Sequence, residues 1–470
     1  MHPSRFKTAC ILFVSLATRS LFAQLEPVAW TTDQVQQILK QRIEVEKRGV
    51  GIVVGLVNAK GNQVVAQGSL NQAGTAAKPD GNTVFEIGSV TKVFTSLILA
   101  DMVGQGEVAL EDPVSKYLPN TVTMPTRDGR EIRLLDLATH TSALPRMPTN
   151  LSPADIGNPY ADFTVDQMYA FLSECKLTRD IGVKCEYSNL GVGLLGHVLA
   201  LRAGTDFESL VATRITKPLG MSGTAIALTP DMKKRLAPGH DEALSEVKNW
   251  DLPTLAGAGA LRSTVNDMLI LIQANMGKIK SKLLDAMALQ QITRNESEVP
   301  NMSMALGWHK LKSFGEEVVW HNGQTGGYHS FIGFDKRRGV GVVVLANAAT
   351  DIDDIGFHLL DNRYPLNKVT ATKARTAIKV DSKILDKYVG EYEIIPTFVI
   401  SITKEGDRLF LQATGQERAE IFAESNSKFF LKIVDAQISF VEDAKGNVIK
   451  LFLHQGGANQ PAKKRLSREP

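Results

Sequence analysis

In the first three-quarters of the chain, runs of β-branched and aromatic residues occur at two widely separated places. The early pair is Gly51-Ile-Val-Val-Gly-Leu-Val57 and Gln63-Val-Val-Ala66, joined by the turn material Asn58-Ala-Lys-Gly-Asn62. The late group is Met304–Trp308, Val318–Trp320, Ser330–Phe334 and Val340–Ala346, with Asp335-Lys-Arg-Arg-Gly339 as the turn before the last run. Between the two groups the apolar residues return at helical steps, as in Thr164–Leu172, Leu190–Ala200 and Thr264–Met276. Strands at both ends with helices between them imply an α+β fold. One antiparallel sheet, flanked by helices, takes its first and last strands from opposite ends of the same segment.

Beyond Val369 the pattern changes. A polar, alanine-rich stretch reads as a linker over 369–382. After it, Phe398–Ile402, Arg408–Gln412, Lys428–Lys432, Gln437–Val441 and Val448–Leu453 alternate at a period of two, which predicts a small C-terminal antiparallel β-barrel or curled sheet. A chain of 470 residues exceeds one ordinary core, so a first domain at 24–368 and a second at 383–470 fit the length prior. His2, Arg5 and Lys7 precede the apolar run Ala9–Val14, and Ala23 offers a cleavage point, so residues 1–23 read as an export signal. The run is too short to span a bilayer. A net charge of +3 without a long basic run gives no support for nucleic-acid binding.

The chemistry points first to Phe85-Glu-Ile-Gly-Ser-Val-Thr-Lys92, where an extended segment gives way to a helix carrying Val93, Phe94, Leu97, Ile98 and Met102 on its apolar stripe. Ser89 and Lys92 stand three residues apart at the start of that helix, so the amine can reach the hydroxyl. A serine needs such a neighbour to become a nucleophile at neutral pH. Two further fragments bear on this pair, Tyr187-Ser-Asn189 and His321-Asn-Gly323.

These three fragments, in this order, resemble the class C β-lactamase and penicillin-recognising serine hydrolase family, which includes D-aminopeptidases, DD-carboxypeptidases and esterases. Supporting strings are Leu134-Leu-Asp-Leu-Ala-Thr-His-Thr-Ser142, Glu186-Tyr-Ser-Asn-Leu-Gly191 and His321-Asn-Gly-Gln-Thr-Gly-Gly-Tyr328, and the likeness runs from about Val50 to Ala348. The resemblance implies a β-lactamase/transpeptidase-like fold with an all-helical subdomain and a lipocalin-like C-terminal extension. It implies Ser89 as acylated nucleophile, with Lys92 and Tyr187 moving protons, and Tyr187 acting as a base once a cation such as Lys92 depresses its pKa. It places Asn189 on the substrate's amide side chain and the backbone N–H groups of Ser89 and Gln324 around the oxyanion. Gly323, Gly326 and Gly327 are expected where substrate lies against a strand edge.

His321 departs from the lysine usual in class C β-lactamases. An imidazole is mostly neutral at pH 7, so carboxylate recognition is expected to be weaker. The expected activity is hydrolysis of a β-lactam, D-amino-acid peptide or small ester. A binding protein for peptidoglycan fragments that lacks turnover is the alternative. No cofactor or metal is expected, since no His, Cys or carboxylate set has ligand spacing. His197 is expected to be a core or edge histidine. If the first 23 residues are removed, Cys175 and Cys185 remain, either as a disulfide or as two buried thiols.

Overall fold

A computed structural model describes residues 29–74, 77–297, 299–367, 377–395, 398–414, 418–431, 436–443, 445–455 and 458–465. The expected export signal and residues 369–376 of the expected linker lie outside these.

The central sheet has eight strands: β1 (Gly51–Asn58), β2 (Gly61–Gly68), β3 (Asn295–Glu296), β4 (Met302–Met304), β5 (His309–Ser313), β6 (Glu316–Gln324), β7 (His329–Asp335) and β8 (Val340–Ala346). Their order is β2-β1-β8-β7-β6-β5-β4-β3, and β1 pairs antiparallel with β8, Val54 standing opposite Val344. The expectation that the first and last strands meet is therefore fulfilled. Helices α1 (Thr32–Lys40), α2 (Thr91–Gly104), α3 (Asn189–Ala203), α4 (Val265–Asn275) and α5 (Asp353–Leu360) accompany it.

Alternation along β1 divides the core. Ile52, Val54 and Leu56 pack with Val35 and Leu39 of α1 and with Ile355 and Leu359 of α5. Val53 and Val57 face the larger core that contains α2, α3 and α4. Both faces are thus covered, which is why β1 and β8 are apolar nearly throughout rather than alternating. Local signals set the helix starts: Thr31 and Gln34 form a capping box on α1, and Thr264 caps α4.

One strand is displaced from its expected position. β4 ends at Met304, and Ala305–Trp308 is a tight loop in which Ala305 N–H donates to Trp308 O at 2.9 Å. Gly307 sits at φ +66°, and a Cβ there would lie 2.7 Å from Lys92 O and 2.5 Å from Ser96 Oγ. The loop is pressed onto α2, and the strand resumes as β5, whose two lysines, Lys310 and Lys312, hid it in the sequence.

The C-terminal region is a closed antiparallel barrel of eight strands running from Gly390 to Lys464. Ile400, Ile402, Leu409, Leu411, Ile421, Ile438 and Leu451 fill it. Tyr388, stacked on Phe440 at 4.1 Å between ring centroids, packs at one end beside the helix Ser382–Asp386. The five expected strands are present, together with Gly390–Ile395, Ala419–Ala423 and Ala458–Lys464. Ile378 N–H already bonds Ala423 O at 2.9 Å, so the chain joins the barrel earlier than the expected boundary at 383. Among the described residues no helix is long and apolar enough to cross a membrane.

Candidate active site

Ser89 lies in a single 3-10 turn, Gly88–Val90, that leads directly into α2. It is not the helix cap, a place taken by Val90 without a side-chain bond. Lys92, one turn on, is completely buried, and its Nζ donates to Ser89 Oγ at 2.9 Å and to Ala258 O at 2.6 Å. No carboxylate among the described residues pairs with it. Burial, reinforced by the Arg146 guanidinium, holds the amine well below its ordinary value of 10.5. Burial thus works toward the uncharged amine, the form able to take a proton.

Tyr187 arrives from the loop before α3. Its ring centroid lies 4.9 Å from Lys92 Nζ and 5.0 Å from Arg146 Cζ, and 4.4 Å from the centroid of the His140 ring. The Ser89 side chain lies close enough to it to act on the phenol. Burial pushes the phenol up to about 12, against the opposing effects of Ser89 and of Arg146. This corrects the expectation of a depressed phenol. Lys92 was to supply the depressing charge, but burial disfavours that charge. Tyr187 keeps its proton at neutral pH and is suited to give it away.

Two backbone segments meet at the serine turn. A Cβ on Gly323 would lie 2.1 Å from Ile87 O and 2.8 Å from Ser89 N, and one on Gly88 would lie 2.9 Å from Gln324 N. The Gly88–Ser89 turn and the end of β6 therefore touch main chain to main chain, with Ser89 N beside Gly323 and Gln324 N beside Gly88. The glycines also let the chain pack closely on itself. Gly323 admits Ile87 and Ser89, Gly326 admits the Trp250 indole, and Gly327 admits Gly239. The chain packs on itself at these points.

His321 is buried, and its Nδ1 donates to Asn322 O at 2.6 Å. Its ring lies 4.9 Å from that of His309. Burial first, then His309 and Lys92, holds His321 well below its ordinary value, so the imidazole is neutral at pH 7. Asn189 begins α3 with its N–H on Arg146 O at 3.0 Å, and it lines the pocket with Ser89 and Gln324.

Two segments, 155–160 and 248–255, supply much of the pocket wall. Asn158 Nδ2 donates to Asp251 Oδ2 at 2.9 Å, Asp251 N–H returns to Asn158 Oδ1 at 2.8 Å, and Lys248 pairs with Asp155 at 2.7 Å. So joined, they set Tyr160 edge-on to Trp250 at 5.2 Å. Met147, Tyr160, Trp250, Leu252 and Leu255 make an uncharged wall over Ser89. Trp250 N–H bonds the buried Glu86 carboxylate at 3.0 Å, tying this wall to the serine segment.

Sequence reasoning assigned no role to His140, Arg146 or His309. His140 Nδ1 accepts from Ser188 N–H at 3.2 Å, and its carbonyl accepts from Glu186 N–H at 2.8 Å, so it holds both neighbours of Tyr187. Only the quoted string through Ser142 carried a hint. A second miss is the group His329, Asp351 and Asp353, whose ligand atoms lie within 4.8 Å of one another. Spacing along the chain concealed it. His329 Nε2 meets Asp353 Oδ1 at 3.1 Å and Asn322 Nδ2 donates to Asp353 Oδ2 at 2.5 Å, two contacts that fasten β7 and β6 to α5. His197 is half-buried and meets the Tyr169 hydroxyl at 2.6 Å. Cys175 and Cys185 are thiols rather than a disulfide, and Cys185 Sγ donates to Thr139 O at 3.6 Å.

A model of the family described as Beta-lactamase matches residues 35–359, well over half of the chain. The chain belongs to the β-lactamase family. It is accordingly a serine hydrolase, of the class C β-lactamase and DD-carboxypeptidase type. A D-alanyl-D-alanine-carboxypeptidase/endopeptidase, AmpH, from Escherichia coli K12 is 31% identical over 336 residues, covering 66% of this chain and 85% of its own length. Penicillin-binding protein 4* from Bacillus subtilis 168 is 26% identical, over 81% of this chain and 87% of its own. The crystal structure of a β-lactamase/D-alanine carboxypeptidase from Yersinia pestis superposes with a TM-score of 0.62 at 25% identity, covering 71% of this chain and 98% of that one. Residues 374–466 match a family described as Domain of unknown function (DUF3471).

Proposed function

We propose that this member of the family is an exported hydrolase that opens an ester or amide carbonyl through an acyl-enzyme on Ser89, with a preference for uncharged, apolar acyl groups. One observation carries the reading: the buried Lys92 amine, unpaired with any carboxylate among the described residues, bonds the Ser89 hydroxyl at 2.9 Å with the Tyr187 ring 4.9 Å from its Nζ. In acylation the Ser89 proton passes to Lys92 Nζ as Oγ attacks, and the Tyr187 phenol protonates the leaving oxygen or nitrogen. The ammonium of Lys92 then returns a proton to Tyr187. Ser89 and Gln324 N–H groups stabilise the oxyanion, and Asn189 bonds the acyl side chain. Water repeats the sequence in reverse to free Ser89. The export signal at 1–23 belongs to the same proposal, as does a division into two domains whose linker ends by Ile378.

The uncharged wall and the neutral His321 support the substrate preference, since neither offers a cation to a carboxylate. The test compares p-nitrophenyl butyrate, nitrocefin and a D-Ala-D-Ala peptide, with mass spectrometry of a fluorophosphonate-labelled digest. The expected outcome is the highest kcat/KM for the ester and a single adduct on the Ser89 peptide. An adduct elsewhere, or turnover of none of the three, contradicts it.

A further inference from the structure

Passing a proton through Tyr187 creates negative charge on a buried oxygen, and that charge needs a positive partner. Lys92 supplies one only between taking the Ser89 proton and returning it to Tyr187, because burial disfavours its ammonium. The neighbouring imidazoles give no charge either. His140, on the segment after the helix Leu134–Ala138, His309 on β5 and His321 on β6 are all held below their ordinary values by burial, His309 to about 4. Arg146 differs from all of these, since a guanidinium does not deprotonate in proteins. Its Cζ lies 5.0 Å from the Tyr187 ring centroid, and its side chain is exposed beside the pocket residue Met147. Among the described residues no carboxylate neutralises it.

We propose that Arg146 is a positioning residue for acyl transfer, the fixed positive charge that biases proton movement among Ser89, Lys92 and Tyr187. The inference rests on the acyl-enzyme reading of Ser89. The proton ledger is closed: the Ser89 O–H breaks as its O–C bond forms, Tyr187 gives its proton to the leaving group, and Lys92 returns the serine proton to Tyr187. A cation at Arg146 favours the start of this cycle in two ways. It opposes an ammonium at Lys92, keeping the amine ready to accept, and it supports the transient phenolate at Tyr187. The Arg146 carbonyl separately accepts from Asn189 N–H and Leu190 N–H, a scaffold that side-chain changes leave alone.

The sign of the effect is definite. Without the charge the Lys92 pKa rises, so the acid limb of kcat/KM moves to higher pH. The experiment measures kcat/KM for p-nitrophenyl butyrate, a neutral ester, from pH 5 to 9 in the full chain, with Arg146→Gln and Arg146→Lys. Screening at an exposed site limits the expected shift for Arg146→Gln to about half to one pH unit, or roughly 3–10-fold in rate on the acid side. KM should hold, Arg146→Lys should keep the parent limb, and added salt should shrink the difference. Superimposable profiles would overturn the inference, as would equal losses in both variants without a shifted limb. A parent without Ser89-dependent turnover sinks the acyl-enzyme reading as well, whereas an active parent indifferent to Arg146→Gln sinks this inference alone.

Discussion

Ser89→Ala is expected to lower kcat/KM for p-nitrophenyl butyrate by at least about 10³-fold, because removing a nucleophile that acts as one unit with its base removes nearly all the chemistry. The same substitution should leave the melting temperature almost unchanged. The hydroxyl is half-buried, and Lys92 Nζ keeps its bond to Ala258 O at 2.6 Å when the serine partner is lost. Kinetics and calorimetry on the same preparation separate the two effects. Residual turnover above about a tenth of the parent rate is far outside that nucleophile loss and would assign the hydrolysis to another group.

The second large effect is expected at Gly323, a residue that touches no proton. A methyl group there would stand 2.1 Å from Ile87 O and 2.6 Å from Ser330 Oγ, well inside contact distance. Ile87 O is main chain and cannot swing aside, so the serine turn and the end of β6 must separate. Separation moves the N–H groups of Ser89 and Gln324 off a shared target. Loss of one such donor costs about 10²–10³-fold in kcat. Gly323→Ala is therefore expected to lose kcat by about that factor, and to melt earlier by an amount in keeping with about 1–3 kcal/mol of overpacking. Gly104→Ala is the matched control, since a Cβ there meets nothing within 4 Å. Parent-like kcat in Gly323→Ala would mean that these two N–H groups do not hold the oxyanion.

The parts of the fold that local periodicity encodes were legible. The apolar runs of β1 and β8 lie far apart in the chain, and their pairing followed from having helices between them. Ser89 and Lys92 were legible because they share one turn. Where the outcome depended on contacts between distant segments, the sequence was silent or misleading. Trp308 extended an apolar run, yet the run breaks at Gly307 to meet Lys92 O, and no local signal reports that meeting. Tyr187 was placed correctly beside Lys92, but the direction of its pKa shift was not. That direction depends on how deeply both groups are buried, and burial is settled by the whole core. Arg146 and His309 escaped notice for the same reason: each becomes meaningful only when α2, the loop before α3 and the sheet come together. The three glycines of the third motif also admit Ile87, Trp250 and Gly239, close approaches that no local signal in the sequence reports.

The account turns on which group takes the proton from Ser89. The direct measurement is the rate at which a fluorophosphonate modifies Ser89 as a function of pH, in the parent and in Lys92→Gln. If the buried amine of Lys92 is the base, the parent rate rises through one ionisation well below the ordinary lysine value of 10.5 and is flat from there to pH 10, and Lys92→Gln loses that step. A rate that keeps climbing toward the Tyr187 value of about 12, and that survives in Lys92→Gln, would make the phenol the base and contradict the assignment.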